Sequence, residues 1–413
     1  MSTTAAPLPP LRDDATVIGL VGLAHSISHF SQLLLAPLFP WLKVEFGVSY
    51  AELGLLMTVF FVTSCAVQTA SGFLVDRVGP WPVLLGGLSL VGVAALGYAT
   101  SHSYAMLALW SVVAGIGNGV FHPVDFTLLN RKVHPSRLGH AFSVHGVTGA
   151  LGWALAPALL VPLAVALSWR KALLVAGALA FVVLALLWLN RRRLAVEASP
   201  PPAPAARTSV QTPPAGGAFD FLAIPAVWMC FAFFLFFAMA LSGIQTFAPA
   251  AARQLHDVPL AMAASCLTVY MIASASGTIV GGFLASNPAR CERVVAAAFT
   301  VAAGIAFTLG LADVRAAVVP ILFGAMGLAS GIAGPSRDML VKRSSPDNAT
   351  GRVYGVVYSG LDIGQAIAPL LFGTLMDHGR PADVWVGIAL VQLVLVASAF
   401  NVRRVRRTAL VPA

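Results

Sequence analysis

Three groups of ionisable or amide side chains stand inside long apolar runs, where their chemistry would be to bind a small polar molecule or to move protons. His25, His29 and Gln32 follow i, i+4, i+7 spacing and so share one face of a helix. His122 and Asp125 lie three residues apart, and Asp362 has Tyr358 at i−4 and Gln365 at i+3. His145, Gln245 and Arg337 are further candidates for substrate contact. An ionisable group at bilayer depth costs roughly 3 kcal/mol or more, so each such residue is a functional hypothesis whose partner must be found. The proton carriers expected from depth and chemistry are Asp362, about 16 Å beyond Gly351 on a helix, then Asp125, His29 and His25. Each has a plainer reading. The histidines serve equally as interhelical hydrogen-bonding glue, Asp125 as a helix-end carboxylate reaching interfacial water, and Asp362 as a permanently protonated structural residue. Asp338 has a local partner in Lys342 at i+4.

The elements that must position these groups are membrane-spanning helices. The chain has 413 residues, of which 58% are hydrophobic and only 10% charged, and a mean hydropathy of +0.85. About 20 apolar residues cross a bilayer as a helix, and twelve such runs occur. They are Val17–Trp41, Leu53–Val75, Val83–Tyr98, Tyr104–Leu129, Leu138–Ala166, Ala172–Asn190, Phe221–Pro249, Met262–Ala285, Val294–Ala312, Ala316–Val341, Val353–Met376 and Val384–Val402. They are continuous, unlike the alternating ten-residue segments of a barrel. The net charge of +9 does not imply nucleic acid. Most lysines and arginines fall on segments that a cytoplasmic N-terminus places inside, with Lys43, Arg170, Lys171, Arg253, Arg315 and Arg380 outside and Arg337 in the membrane. Both termini are therefore expected in the cytoplasm. Residues 1–16 carry Asp13 and Asp14 and no cleavage signal, so the first helix is expected to be retained. Arginine far outnumbers lysine, which points to a GC-rich bacterium and its inner membrane.

The polar, proline-rich stretch 191–217 reads as a linker between an N-terminal bundle of six helices, 1–190, and a C-terminal one, 218–413, with a basic tail. The halves are internally similar. At an offset of 210, Thr58 pairs with Thr268 and Ser64 with Ser274. At 212, Gly115 pairs with Gly327, Gly119 with Gly331, Pro123 with Pro335 and Pro157 with Pro369. The expected fold class is thus an all-α membrane protein of two pseudo-symmetric six-helix bundles.

The loop after the second run reads Gly72-Phe-Leu-Val-Asp76-Arg77-Val-Gly79. It resembles the G-x-x-x-D-R-x-G signature of the major facilitator superfamily, where the resemblance implies a conformational latch formed by Gly72, Asp76, Arg77 and Gly79. The plainer reading is a tight turn. In the second half the motif has decayed to Gly282-Phe-Leu-Ala-Ser286-Asn287. Within the superfamily, Ala24-His25 with Gln32 and Phe39-Pro40, Gly115-x-Gly117 through His122-Pro123, and Gly149-x-x-Gly152 with Pro157 look most like the fosmidomycin-resistance branch of efflux proteins. That branch tends to carry an acid at the position of His29 and Glu-Ser where this chain has Val124-Asp125. The resemblance also implies that helices 1, 4, 7 and 10 line a central cavity, where Asp125 and Arg337, at matching repeat positions, would face each other.

These readings converge on a monomeric secondary active transporter of a small drug-like or anionic molecule, working by alternating access with protons and embedded in lipid. Uptake of a small organic anion or metabolite is one alternative, and a non-transporting receptor or sensor on the same fold is another. No nucleotide-binding signature occurs, no catalytic constellation converges, and no cofactor is expected. Two histidines four apart without a suitably spaced acid do not specify a metal site, and Cys65, Cys230, Cys266 and Cys291 lack metal spacing.

Overall fold

In the computed structural model the chain is helical almost throughout, with no strand among the described residues, which are 11–195, 225–284, 290–344 and 350–409. The side chains of residues 226, 338–344, 350–358 and 398–409 lie outside that description, and with them the readings made for Asp338, Lys342 and Tyr358. Ser286, Asn287 and linker residues 196–217 also lie outside the described residues. The long helices are α1 (Leu11–Gln32), α2 (Tyr50–Val78), α3 (Pro80–Ala99), α4 (Tyr104–Lys132), α5 (Leu138–Ala166), α6 (Trp169–Leu189), α7 (Pro225–Thr246), α8 (Leu260–Leu284), α9 (Cys291–Leu311), α10 (Val319–Ser344), α11 (Thr350–Asp377) and α12 (Pro381–Ala409). Among the described residues, ten helical stretches are long and apolar enough to cross a membrane, whereas the apolar part of α12, Pro381–Ala397, is shorter.

Proline explains two departures from the sequence spans. The run expected as one helix over Val17–Trp41 stops at Gln32, passes through a 3-10 turn at Ala36–Leu38, and resumes as a short helix, Phe39–Phe46. Pro37 and Pro40 each lack the backbone N–H that a continuous helix requires. In α4 the helix is interrupted between Asn118 and Phe121. Pro123 cannot donate to the Gly119 carbonyl one turn earlier, and the Ser71 hydroxyl, from α2, lies 3.4 Å from that oxygen while sharing its hydrogen with the Gln68 carbonyl at 3.0 Å. The same arrangement recurs in α10, where Pro335 leaves the Gly331 carbonyl 3.4 Å from the Thr278 hydroxyl of α8, which shares its hydrogen with the Ser274 carbonyl at 3.0 Å. A smaller departure lies at Arg191–Leu194, which is a helical turn although the linker was expected to begin there.

The repeat is thus visible as packing. A Cβ added to Gly115 would lie 2.6 Å from the Phe60 carbonyl oxygen, and one added to Gly327 would fall on the carbonyl of Tyr270. Gly119 and Gly331 stand in the same relation to the carbonyls of Ser64 and Ser274. The α2–α4 contact is therefore reproduced by α8–α10, just as α1–α5 is by α7–α11 and α3–α6 by α9–α12. The cross-contacts obey the same rule. The Thr58 hydroxyl donates to the Ala366 carbonyl at 2.6 Å between α2 and α11, and the Thr268 hydroxyl to the Ala154 carbonyl at 3.4 Å between α8 and α5.

One feature breaks the symmetry. At the start of α2 the backbone N–H groups of Tyr50 and Ala51 both donate to the Asp377 carboxylate at the end of α11, each at 2.7 Å, with Lys43 Nζ 3.8 Å away. A helix N-terminus presents unpaired N–H groups and partial positive charge, so a carboxylate is a favourable cap. A reciprocal Ser49–Glu52 capping box occupies the neighbouring donors. At the equivalent place between α5 and α8, Val165 and Ala261 instead line an apolar cavity of about 470 Å³. At the opposite end of the molecule, the buried Asp14 accepts from Arg137 at 2.8 Å, tying the first turn of α1 to the loop before α5.

Candidate functional site

The polar face of α1 packs on α5 and on the second segment of α4. Two glycines of α5 permit the close approach. A Cβ on Gly149 would come within 2.7 Å of His29 Cε1 and 3.0 Å of His25 Nε2, and one on Gly152 would strike the Ser26 carbonyl. Into this space the interrupted α4 delivers His122 and Asp125, and α5 delivers His145.

Asp125 is the centre of the cluster and is fully buried. Its Oδ2 lies 3.0 Å from His25 Nδ1 and 3.2 Å from His145 Nε2. An ionised carboxylate only accepts, so in that state both ring nitrogens carry their hydrogens. The His25 and His145 rings stack with centroids 3.5 Å apart. His29 lies 4.4 Å from His25 and on its other side meets Trp153 at 4.2 Å, whose indole N–H donates to Gln32 Oε1 at 2.9 Å. The His122 ring is 5.2 Å from His25 and is half-buried, while the other members are buried. His122 Nδ1 and Asp125 Oδ1 have no hydrogen-bond partner among the described residues. Below this cluster Asn118 accepts from Ser28 at 2.8 Å and donates to Ser64 at 2.9 Å, linking α4 to α1 and α2.

The remaining candidates lie apart. Asp362 is half-buried on α11 and accepts from Gln68 Nε2 of α2 at 3.3 Å, with the Cys65 thiol of α2 close enough to interact with it electrostatically. Gln365 and Gln245 are buried, with Oε1 and Nε2 respectively lacking a partner among the described residues. Gln245 lines a small cavity of about 40 Å³ with Pro37, Phe39 and Arg253. The Arg337 guanidinium rests 4.5 Å over Phe237 and 5.1 Å over Phe234 of α7. The hydrogen-bond partners of Asp125 are His25 and His145, so the expected facing pair with Arg337 is not among its contacts in this conformation. Asp76 and Arg77 are exposed at the end of α2 and make no ion pair among the described residues. Gly72 has open space where its Cβ would be, and Gly79 has φ +82°, a conformation that favours glycine and lets α3 begin at Pro80. The meeting of three histidines from three helices, and the roles of Trp153, Asn118, Cys65 and Gln68, were not anticipated. The only sequence signal for Trp153 is its place four residues after Gly149.

Helices of this length and hydropathy, paired by a repeat and enclosing buried polar clusters, define a multi-pass membrane protein. The chain belongs to the Major Facilitator Superfamily, whose sequence model matches residues 21–369 and 263–410. It is 29% identical over 157 residues to the Fosmidomycin resistance protein of Escherichia coli, and 28% identical over 163 residues to the Probable sulfoacetate transporter SauU of Cupriavidus necator. These matches cover 38% and 39% of this chain, and 38% of the length of each relative. In fold it is similar to a bacterial homolog of the human lysosomal transporter Spinster, solved in an inward-facing and occupied conformation, with a TM-score of 0.77 at 15% identity over 96% of this chain and 98% of that one. Membership of that superfamily places the chain among multi-pass membrane transport proteins.

Proposed function

We propose that the chain is a proton-coupled secondary transporter that exports a small drug-like or anionic molecule across a bacterial inner membrane by alternating access. In this reading twelve helices form two six-helix bundles, residues 1–190 and 218–413, joined by the linker 191–217, with both termini cytoplasmic and the chain acting as a monomer. The observation that carries it is the position of Asp362. It bridges α11 to α2 through its hydrogen bond with Gln68, at one of the two seams between the bundles. A carboxylate deep in a membrane stays charged only at a cost unless water or a cation reaches it. A change in its protonation therefore alters the seam on which alternation depends. In this reading the Asp377 cap closes the outer end of that seam. The imidazoles of His122 and His145 and the amides of Gln32, Gln245 and Gln365 are the groups offered to substrate.

Export is supported by the likeness to a resistance protein. Uptake of a small organic anion is the second reading, favoured by the likeness to a probable sulfoacetate transporter. The test is flux into proteoliposomes across a panel of drugs and organic anions, with and without an imposed proton gradient. Asp362→Asn should abolish gradient-driven accumulation while sparing substrate exchange. Accumulation by that variant at the wild-type rate and pH dependence would sink the assignment.

A further inference from the structure

We propose that His25, His122 and His145 form a binding site for a divalent transition-metal ion of the Zn²⁺ class. One ring nitrogen from each residue lies within 4.8 Å of the others, although the three come from α1, α4 and α5. Nitrogens bound to one zinc ion at ~2.0–2.1 Å in tetrahedral geometry stand about 3.3 Å apart, so the rings need to move inward by up to about 1 Å and the stacked His25 and His145 rings to turn so that their lone pairs converge. Half-buried His122 faces less packing than its partners and has the most room for that shift.

The surroundings fit an ion better than they fit structural hydrogen bonding alone. Among the described residues His122 Nδ1 has no hydrogen-bond partner, and neither has Asp125 Oδ1 on a carboxylate that is wholly buried. An unpaired buried acceptor is costly unless something occupies it. Metal-binding imidazoles commonly lean on a carboxylate that orients the ring and raises its basicity, and Asp125 stands in that relation to both His25 and His145. Three neutral imidazoles suit zinc, nickel or copper, whereas magnesium and calcium require oxygen donors that this cluster does not supply in number. Half-buried His122 also gives the ion a way in.

The experiment uses the full chain purified in detergent with an affinity tag free of histidine, stripped with a chelator and titrated with Zn²⁺ and Co²⁺. The expected result is one ion per chain, with cobalt giving the intense visible absorption of a four-coordinate site. His122→Ala should weaken binding by at least about tenfold and Asp125→Asn by about ten- to a hundredfold. His256→Ala, which alters a histidine bonded to the Leu309 carbonyl instead, should leave binding unchanged. Because variants of the buried rings risk misfolding, the wild-type cobalt spectrum is decisive by itself. Absence of saturable binding, a weak six-coordinate spectrum, or affinity unaltered in a well-folded His122→Ala protein would each overturn the proposal. No gradient is present in these measurements, so their failure would leave proton-coupled transport standing.

Discussion

The histidine cluster exists because Gly149 has no side chain. Its added methyl would press on His29 at 2.7 Å and on His25 at 3.0 Å, whereas at Gly146, one turn earlier on α5, nothing lies within 4 Å. Overpacking of this kind costs about 1–3 kcal/mol. Gly149→Ala should therefore lower the melting temperature in detergent and impair transport, while Gly146→Ala leaves melting unchanged; equal melting of the two variants would show that the rings yield freely. Each cluster member was legible in the sequence as a polar residue in an apolar run. Their convergence was not, because His25 and Asp125 are 100 residues apart and meet only through helix packing.

Among elements, α4 shows how a proline is tolerated within a span. The prolines were legible; the hydroxyl that compensates for Pro123 was not, since Ser71 lies on another helix. The single Ser71 hydrogen is shared with the nearer Gln68 carbonyl, so Ser71→Ala should deprive the Gly119 carbonyl of a partial donor and cost about 0.5–1 kcal/mol. In a Pro123→Ala background the helix supplies its own N–H, and the same change should cost little. A thermal double-mutant cycle reads the difference, and additive effects would mean that the serine does not serve this carbonyl. The seam between α2 and α11 supplies another case. Removing the Asp377 charge from the start of α2 forfeits about 0.5–2 kcal/mol, so Asp377→Asn should shift the population toward an outward-open form. A cysteine placed at Ala250, on the short helix Ala248–His256 and lining the small cavity beside Gln245, in a background without the native cysteines, would then label faster with an impermeant reagent. Unchanged labelling would mean that the cap does not hold that end shut.

At the scale of the whole molecule, the helical membrane class and the family were legible from run length, charge placement and the loop Gly72–Gly79, and the repeat proved readable down to individual carbonyl contacts. What the sequence could not supply was which conformation those contacts would favour. Asp76 and Arg77 are solvent-exposed here, so a latch at that loop has to engage in another state of the cycle. Asp76→Asn should accordingly leave melting of this conformation unchanged and still reduce flux severely. Normal flux would reduce the loop to a turn.

The seal between α2 and α11 is written on one side in backbone. Every amino acid except proline offers the same N–H at positions 50 and 51, so mutation there cannot silence the donors, whereas every replacement of Asp377 changes the acceptor. Sequence drift would then fall unequally on the two partners, free on α2 and constrained on α11. Ala51→Pro is the exception that isolates the contact: helices accept proline in their first turn, so the substitution should delete one donor and leave the helix standing. The durability of the seal is in this sense a property of the main chain, indifferent to most of the genetic code.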